Sequence, residues 1–286
     1  DRPGPTTKAD CLNNLWRAAL AHEQAEEMRF KAIVLHDAED VVHPLSLDVY
    51  DRWMPRLAMV QLPVIPFVDA DSRWISGHYL DEFAENHGKD MEVRALLGAP
   101  VPSAGVGTAI DREVLARIAG NGAPFDASSL TEDYELGHRI HAMGLSCRLV
   151  RHSAGSEPIA TREFFPATLE AAVQQKSRWQ TGIALAGWDR IGWPGGFAAR
   201  WMLLRDRKGP AASAISMIAY AALALSVAQI ALRQTLAGDG LAVPPPLGAR
   251  GGAMQALLWL NAARQGWRVL MRAHFTARLH GFLEGF

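Results

Sequence analysis

Apolar positions along the chain follow two different periods. Leu12, Leu15, Trp16, Ala19 and Leu20 fall at i, i+3, i+4 spacing and predict an amphipathic helix over 12–29. The run from Lys31 to His36 is apolar without a helical period and predicts a buried strand ending at Asp37. In open α/β sheets, ligands gather at that C-terminal edge of a strand. Helices are predicted over 44–58, 77–97, 131–143 and 167–187, with Thr131 placed to cap the third. Val60 to Val68 has strand character, which Pro63 and Pro66 make irregular or peripheral, and Leu145 to Val150 predicts a further short strand. Alternating strands and helices of this kind point to an α/β core.

From Pro210 to Leu232 the periodicity stops, because the stretch carries no charge. At about 20 residues per span it is long enough to cross a bilayer. Residues 237–252 read as a Gly/Pro linker. Residues 253–271 are apolar but include Asn261, Arg264, Gln265 and Arg268, which suits an interfacial or pore-facing helix.

Charge sharpens this division. Residues 209–286 hold six Arg, no Lys and two acids, Asp239 and Glu284, whereas the first 208 residues carry an excess of acid. Arg205, Arg207 and Lys208 precede the uncharged run, which predicts that the N-terminal part faces the cytosol. The formal net charge of −1 gives no sign of nucleic-acid binding. Cys11 and Cys147 are too few and too far apart for a disulfide framework or a metal knuckle, and read as free thiols. Trp188, Trp193 and Trp201 suit an aromatic belt at a membrane surface. The chain starts at Asp1-Arg2-Pro3 and ends on Gly285-Phe286, and both ends read as cuts.

Four short motifs carry candidate chemistry. Asp37-Ala38-Glu39-Asp40 sets two carboxylates one residue apart at a strand end, where Asp37 and Glu39 could share Mg²⁺ or Mn²⁺; alone it reads rather as a solvated acidic turn before Pro44. Gly105 and Gly107 allow close backbone approach to a ligand or simply a tight turn. Thr131-Glu132-Asp133 opens a helix with a candidate general base, or with ordinary capping residues. Gln175, Arg178 and Trp179 share one helical face, on which Arg could hold phosphate and Trp could carry a sugar ring; the alternative is an amphipathic helix with a solvated Arg.

In this order and spacing the motifs resemble the processive, membrane-bound family-2 glycosyltransferases, relatives of bacterial cellulose and hyaluronan synthases. Asp37-Ala38-Glu39 matches their metal motif, Thr131-Glu132-Asp133 their TED motif, and Gln175 to Trp179 their QxxRW motif. Thr6-Thr7-Lys8-Ala9 with Leu12-Asn13 is similar to a segment upstream of the metal motif. The resemblance extends from residue 5 to about residue 235. The Asp-Ala-Glu-Asp variant with His36 resembles most the inner-membrane branch linked to phage adsorption. Glu39 departs from the usual Asp, and the family's first strands and uracil-binding Asp would lie before Thr6.

The resemblance implies a Rossmann-like GT-A core, truncated at its N-terminus, followed by interfacial and transmembrane helices. The implied divisions are 1–187 for the partial core, 188–208 interfacial, 209–233 transmembrane, 234–252 linker and 253–286 a second membrane-associated segment. It also implies a UDP-sugar or related donor, a glycan or lipid-linked acceptor, an outer-membrane export partner, and an inner-membrane location with the catalytic part in the cytoplasm. Inversion needs one base, because the acceptor attacks opposite the leaving diphosphate. Asp133 would be that base. Arg178 would contact the leaving group and Trp179 would shape the acceptor site, with Gln175, Gly105 and Gly107 binding donor or acceptor; Lys8 would lie near the donor or be solvated, and Glu132 would cap the helix or support the acceptor site. Other classes remain: an inactive membrane scaffold or phage-receptor component, and a soluble sugar- or nucleotide-binding module. With so short a lead before the metal strand, residues 1–286 alone are expected to be inactive.

Overall fold

The computed structural model describes residues 4–54, 56–238 and 252–281. Two compact units emerge, one of residues 1–207 with 272–286 and one of residues 208–271. The first holds the α/β core. Its opening helix α1 (Lys8–Ala25) starts at Thr7, whose hydroxyl accepts from the Asp10 N–H while the Asp10 carboxylate accepts from the Thr7 N–H. This reciprocal pairing satisfies two donors that a helix start would otherwise leave open. Ala9, Trp16 and Glu23 are buried at seven-residue spacing, the stripe α1 lays on the core.

Strand β1 (Ala32–Leu35) is followed by β2 (Val41–Val42), α2 (Ser46–Trp53), β3 (Met59–Gln61) and β4 (Val64–Pro66). Next come α3 (Ser76–Glu85), a π-helical turn (Asn86–Asp90), α4 (Met91–Leu96), β5 (Thr108–Asp111) and α5 (Arg112–Ala119). Then follow α6 (Glu132–Ala142), β6 (Cys147–Leu149), β7 (Ser153–Ala154), β8 (Glu157–Pro158) and β9 (Thr161–Glu163). Helix α7 (Leu169–Gln180) runs through a second π-helical turn (Thr181–Ala186) into α8 (Gly187–Ile191) and on to α9 (Phe197–Arg207).

Among the described residues the main sheet has the order β1-β5-β3-β6, with β6 parallel to β3 and the other pairs antiparallel. A smaller sheet has the order β2-β9-β4. Successive residues of a strand point to opposite faces, so Met59 and Ile110 join the core on one side, with Trp16, Leu115 and Ile140, while Val60 and Ala109 join the other, with Val49, Tyr50 and Leu62. Buried Arg112 pairs with Glu23 at 2.6 Å and stacks over Trp16, fastening α1 to α5.

Several sequence expectations change in detail. Strand β1 pairs only with β5 among the described residues and is mostly half-buried, so it is an edge strand and not a buried one. Residues 60–68 divide at Pro63 into β3, inside the main sheet, and β4 in the smaller one. Thr131 stands at the start of α6, but its hydroxyl makes no capping bond. The expected helices over 77–97 and 167–187 both form, each with a π-helical turn within it. Cys11 and Cys147 are free.

In the second unit, α10 (Gly209–Gly238) contains a 27-residue stretch, Gly209–Thr235, long and apolar enough to cross a membrane. Its Ile215, Ile218 and Leu225 are exposed. The predicted linker at 234–252 is thus helical up to Gly238, and its residues 239–251 lie outside the described residues. Helix α11 (Gly252–His280) begins in the second unit. From Arg272 its residues belong to the first, where Thr276 is buried and donates to Asp81 at 2.8 Å.

Candidate active site

The loop between α4 and β5 is the centre of the site. It is held by Gln61, which is fully buried at the end of β3. The Gln61 amide donates to the carbonyls of Leu62 and Val106, both at 2.8 Å, and accepts from the Ala104 N–H at 2.8 Å and the Thr108 hydroxyl at 2.6 Å. Ser103 adds a bond to Thr108 and accepts from the Gly105 N–H at 3.0 Å. The loop thereby keeps Gly105 at φ +81° and Gly107 at φ +60°, conformations that side chains disfavour.

Gly105 is a seat for Asp133. A β-carbon at Gly105 would lie 2.5 Å from an Asp133 carboxylate oxygen. Asp133 is half-buried in the first turn of α6. Desolvation, and then the negative charge of Glu132, push its pKa up to about 6; the Tyr134 N–H, Lys8 and Arg178 oppose the rise. A carboxylate in that range is ionised at neutral pH yet basic enough to take a proton.

Lys8 joins this group to the acidic turn. Its ammonium lies 2.5 Å from Asp37 Oδ1 and donates to the Gly105 carbonyl at 3.3 Å. Asp40 is buried under the same turn: one oxygen accepts from the Asp37 N–H at 2.9 Å and lies 3.1 Å from His36 Nδ1, while the other has no partner. Strand β9 contributes a carboxylate that the motifs did not reveal. The β2–β9 register pairs Val41 with Arg162, so Glu163 is set opposite Asp40. Burial and the charges of Asp40, Asp37 and Glu39 together raise Glu163 to about 7.

Among the described residues, no three His, Cys, Asp or Glu side chains form a ready metal cage. The donors gathered here are nonetheless hard oxygens, the type that Mg²⁺ and Mn²⁺ accept while keeping positions for water and phosphate. The unpartnered Asp40 oxygen and the raised pKa of Glu163 both mark a place short of positive charge.

The Gln175–Trp179 segment meets the site through Arg178, an exposed side chain whose charge acts on Asp133. Buried Gln175 Oε1 has no partner. Trp179 has Tyr79 and Phe83 against it edge-on and the Lys176 ammonium 4.7 Å from its ring centre, and Lys176 is ion-paired to Glu82. The structure therefore gathers Lys8, Asp37, Gly105, Asp133 and Arg178. Gly107 lies beside Thr161 and Gln61, and Glu132 stands next to Asp133.

Comparison with known proteins agrees with this arrangement. The family model for glycosyl transferase family group 2 matches residues 32–232. Bacteriophage adsorption protein B of Escherichia coli (strain K12) is 36% identical over 307 aligned positions, which cover 99% of this chain and 40% of the relative. Bacteriophage N4 adsorption protein B of Escherichia coli O157:H7 matches with the same figures. The chain spans about 40% of the length of these curated relatives. With an α/β core of mixed sheets carrying the loop, the acidic turn and the half-buried carboxylate, the chain belongs to glycosyl transferase family group 2.

Proposed function

We propose that this chain carries the catalytic centre of an inverting glycosyltransferase that moves a sugar from a nucleoside-diphosphate donor to a glycan acceptor at the inner membrane. One observation carries the reading. Lys8 touches both Asp37 and the Gly105 carbonyl, and Asp133 rests on that same glycine, so the acidic turn and a base with raised pKa share one rigid loop.

In this reading Asp133 takes the proton of the acceptor hydroxyl as it attacks the anomeric carbon from the side opposite the diphosphate. Lys8 and Arg178 supply fixed positive charge near the departing diphosphate. Asp37 and Glu39 would hold Mg²⁺ or Mn²⁺, which supplies charge neutralisation there. Glu132 keeps the basicity of Asp133 high by repulsion. The stretch 209–235 supports a membrane span, and Arg205, Arg207 and Lys208 before it support a cytoplasmic catalytic unit.

The test is transfer by the full-length protein in membranes, supplied with a panel of UDP-sugars with and without Mn²⁺. Transfer that requires the divalent ion and is lost in Asp133→Asn supports the proposal. Unchanged transfer in chelator, or in Asp133→Asn, rejects it. A second reading, non-processive transfer to a lipid-linked acceptor, gains support from Trp179: its contacts with Tyr79, Phe83 and Lys176 leave it less available as a platform for a polymer. Product length in the same assay separates the two.

A further inference from the structure

Asp133 is two residues from Thr131, and Thr131 is where the base helix meets the helix that carries Arg178. Thr131 is 4% exposed, and its hydroxyl neither caps α6 nor finds any partner. What it meets is Gly182. A β-carbon on Gly182 would lie 2.5 Å from both Oγ1 and Cγ2 of Thr131 and 3.0 Å from its Cβ. Rotating the threonine side chain between staggered positions would leave at least one of Oγ1 and Cγ2 against the added carbon, because only one of the three substituents on Cβ is a hydrogen. Gly182 belongs to the π-helical turn Thr181–Ala186, directly after α7. Such turns insert a residue into a helix and redirect the faces on either side, and they recur at functional sites.

We infer that Gly182 is a positioning residue for sugar transfer: the π-helical turn offers Thr131 a surface without a side chain, and this contact sets the spacing between Asp133 and Arg178. The inference rests on Asp133 being the base. Asp133 is then located from two directions, by Gly105 under its carboxylate and by Gly182 behind the start of its helix. Further along α6, Gly137 lies against the backbone of Val101 and Pro102 and anchors the helix to the segment leading into the same loop. Gly182 touches no reacting group in this account and acts through Thr131.

The experiment compares Gly182→Ala, Thr131→Ala, the double variant and Asp133→Asn in the full-length protein in membranes, with UDP release from a UDP-sugar panel as the readout. Misplacement of about 1 Å can cost on the order of 10²-fold, so Gly182→Ala should lower kcat by roughly that factor while donor KM changes less than about threefold. Thr131→Ala removes both atoms nearest the added methyl, and the double variant should recover to within about tenfold of wild type. The acid limb of the pH profile should move in Gly182→Ala and return in the double variant. Near-normal kcat in Gly182→Ala, or a folded double variant that stays slow, overturns the inference. If Gly182→Ala does not accumulate, the double variant carries the test: folded and active supports the contact, folded and inactive rejects it. Should Asp133→Asn keep its turnover, it is the assignment of the base that fails. Should Asp133→Asn be inactive while Gly182→Ala is unimpaired, only the role of Gly182 fails.

Discussion

Two sets of carboxylates are linked through Lys8 and the loop at 103–108, and they are held by different means. Asp37, Glu39, Asp40 and Glu163 come from an edge-strand turn and a neighbouring strand, and they crowd one another with Lys8 as a nearby cation. Asp133 has one acidic neighbour, a glycine beneath it and two cations that temper its pKa. Crowding suits carboxylates that are to share a cation, while partial burial of one carboxylate raises its basicity. In the proposed mechanism the same functional group thereby acquires two jobs from its surroundings.

The largest expected effect lies on the crowded side. Asp37→Ala should lower transfer by on the order of 10³-fold or more and abolish its response to added Mn²⁺. Activity that persists and still responds to the ion would mean that the cation sits elsewhere. Asp133→Asn, nearly isosteric but unable to accept the proton, should reduce turnover by on the order of 10²-fold or more with donor binding retained. Loss of donor binding instead, read by calorimetry with UDP and Mn²⁺, would erase the contrast between the two sets.

The third effect is in pH. If Asp133 is the base, it must be ionised to act, and kcat/KM should fall by about tenfold per pH unit below about 6 and level off above it. The folded state also holds that proton more tightly than the unfolded chain does. The Asp133 contribution to stability therefore declines as pH rises from its ordinary carboxylate range to about 6, so protonating Asp133 does not itself destabilise the fold on the acid side. The smallest effect concerns the strut between the two sets. Lys8→Gln should raise donor KM by about fivefold or less, the scale of a partly exposed ion pair. It should also move the acid limb upward, because Lys8 depresses the Asp133 pKa. An unmoved acid limb would place Lys8 outside the field of Asp133.

What the sequence disclosed follows from locality. Asp37, Glu39, Asp133 and Arg178 stand in short motifs whose spacing survives folding, and the uncharged run before Leu232 needs only composition. Glu163 was not legible, because its place depends on pairing Val41 with Arg162, 162 − 41 = 121 positions further along the chain. Nor was Gly182, whose significance lies in a contact with Thr131 from another helix. Thr131 was readable as a cap by its position, yet the fold turns its hydroxyl elsewhere. Trp179 was readable as a platform without its contacts to Tyr79 and Phe83, which lie far away in the chain. Periodicity located the helices around 77–97 and 167–187 but not the π-helical turns within them, which a 3.6-residue period does not encode.

Gln61 carries a warning for mutational scanning. Its amide donates to carbonyls and accepts from N–H and hydroxyl groups at once, wholly inside the protein. Glutamate matches its length but, when ionised, does not donate; asparagine is one methylene short; leucine and methionine fill the volume and leave the loop's polar groups bare. Each buried group so abandoned costs about 1–3 kcal/mol. A substitution library scored on product alone would therefore rank this position beside the reacting groups, although nothing in the proposed chemistry touches it. Scoring protein abundance in parallel would return Gln61 to its proper class, that of a keystone.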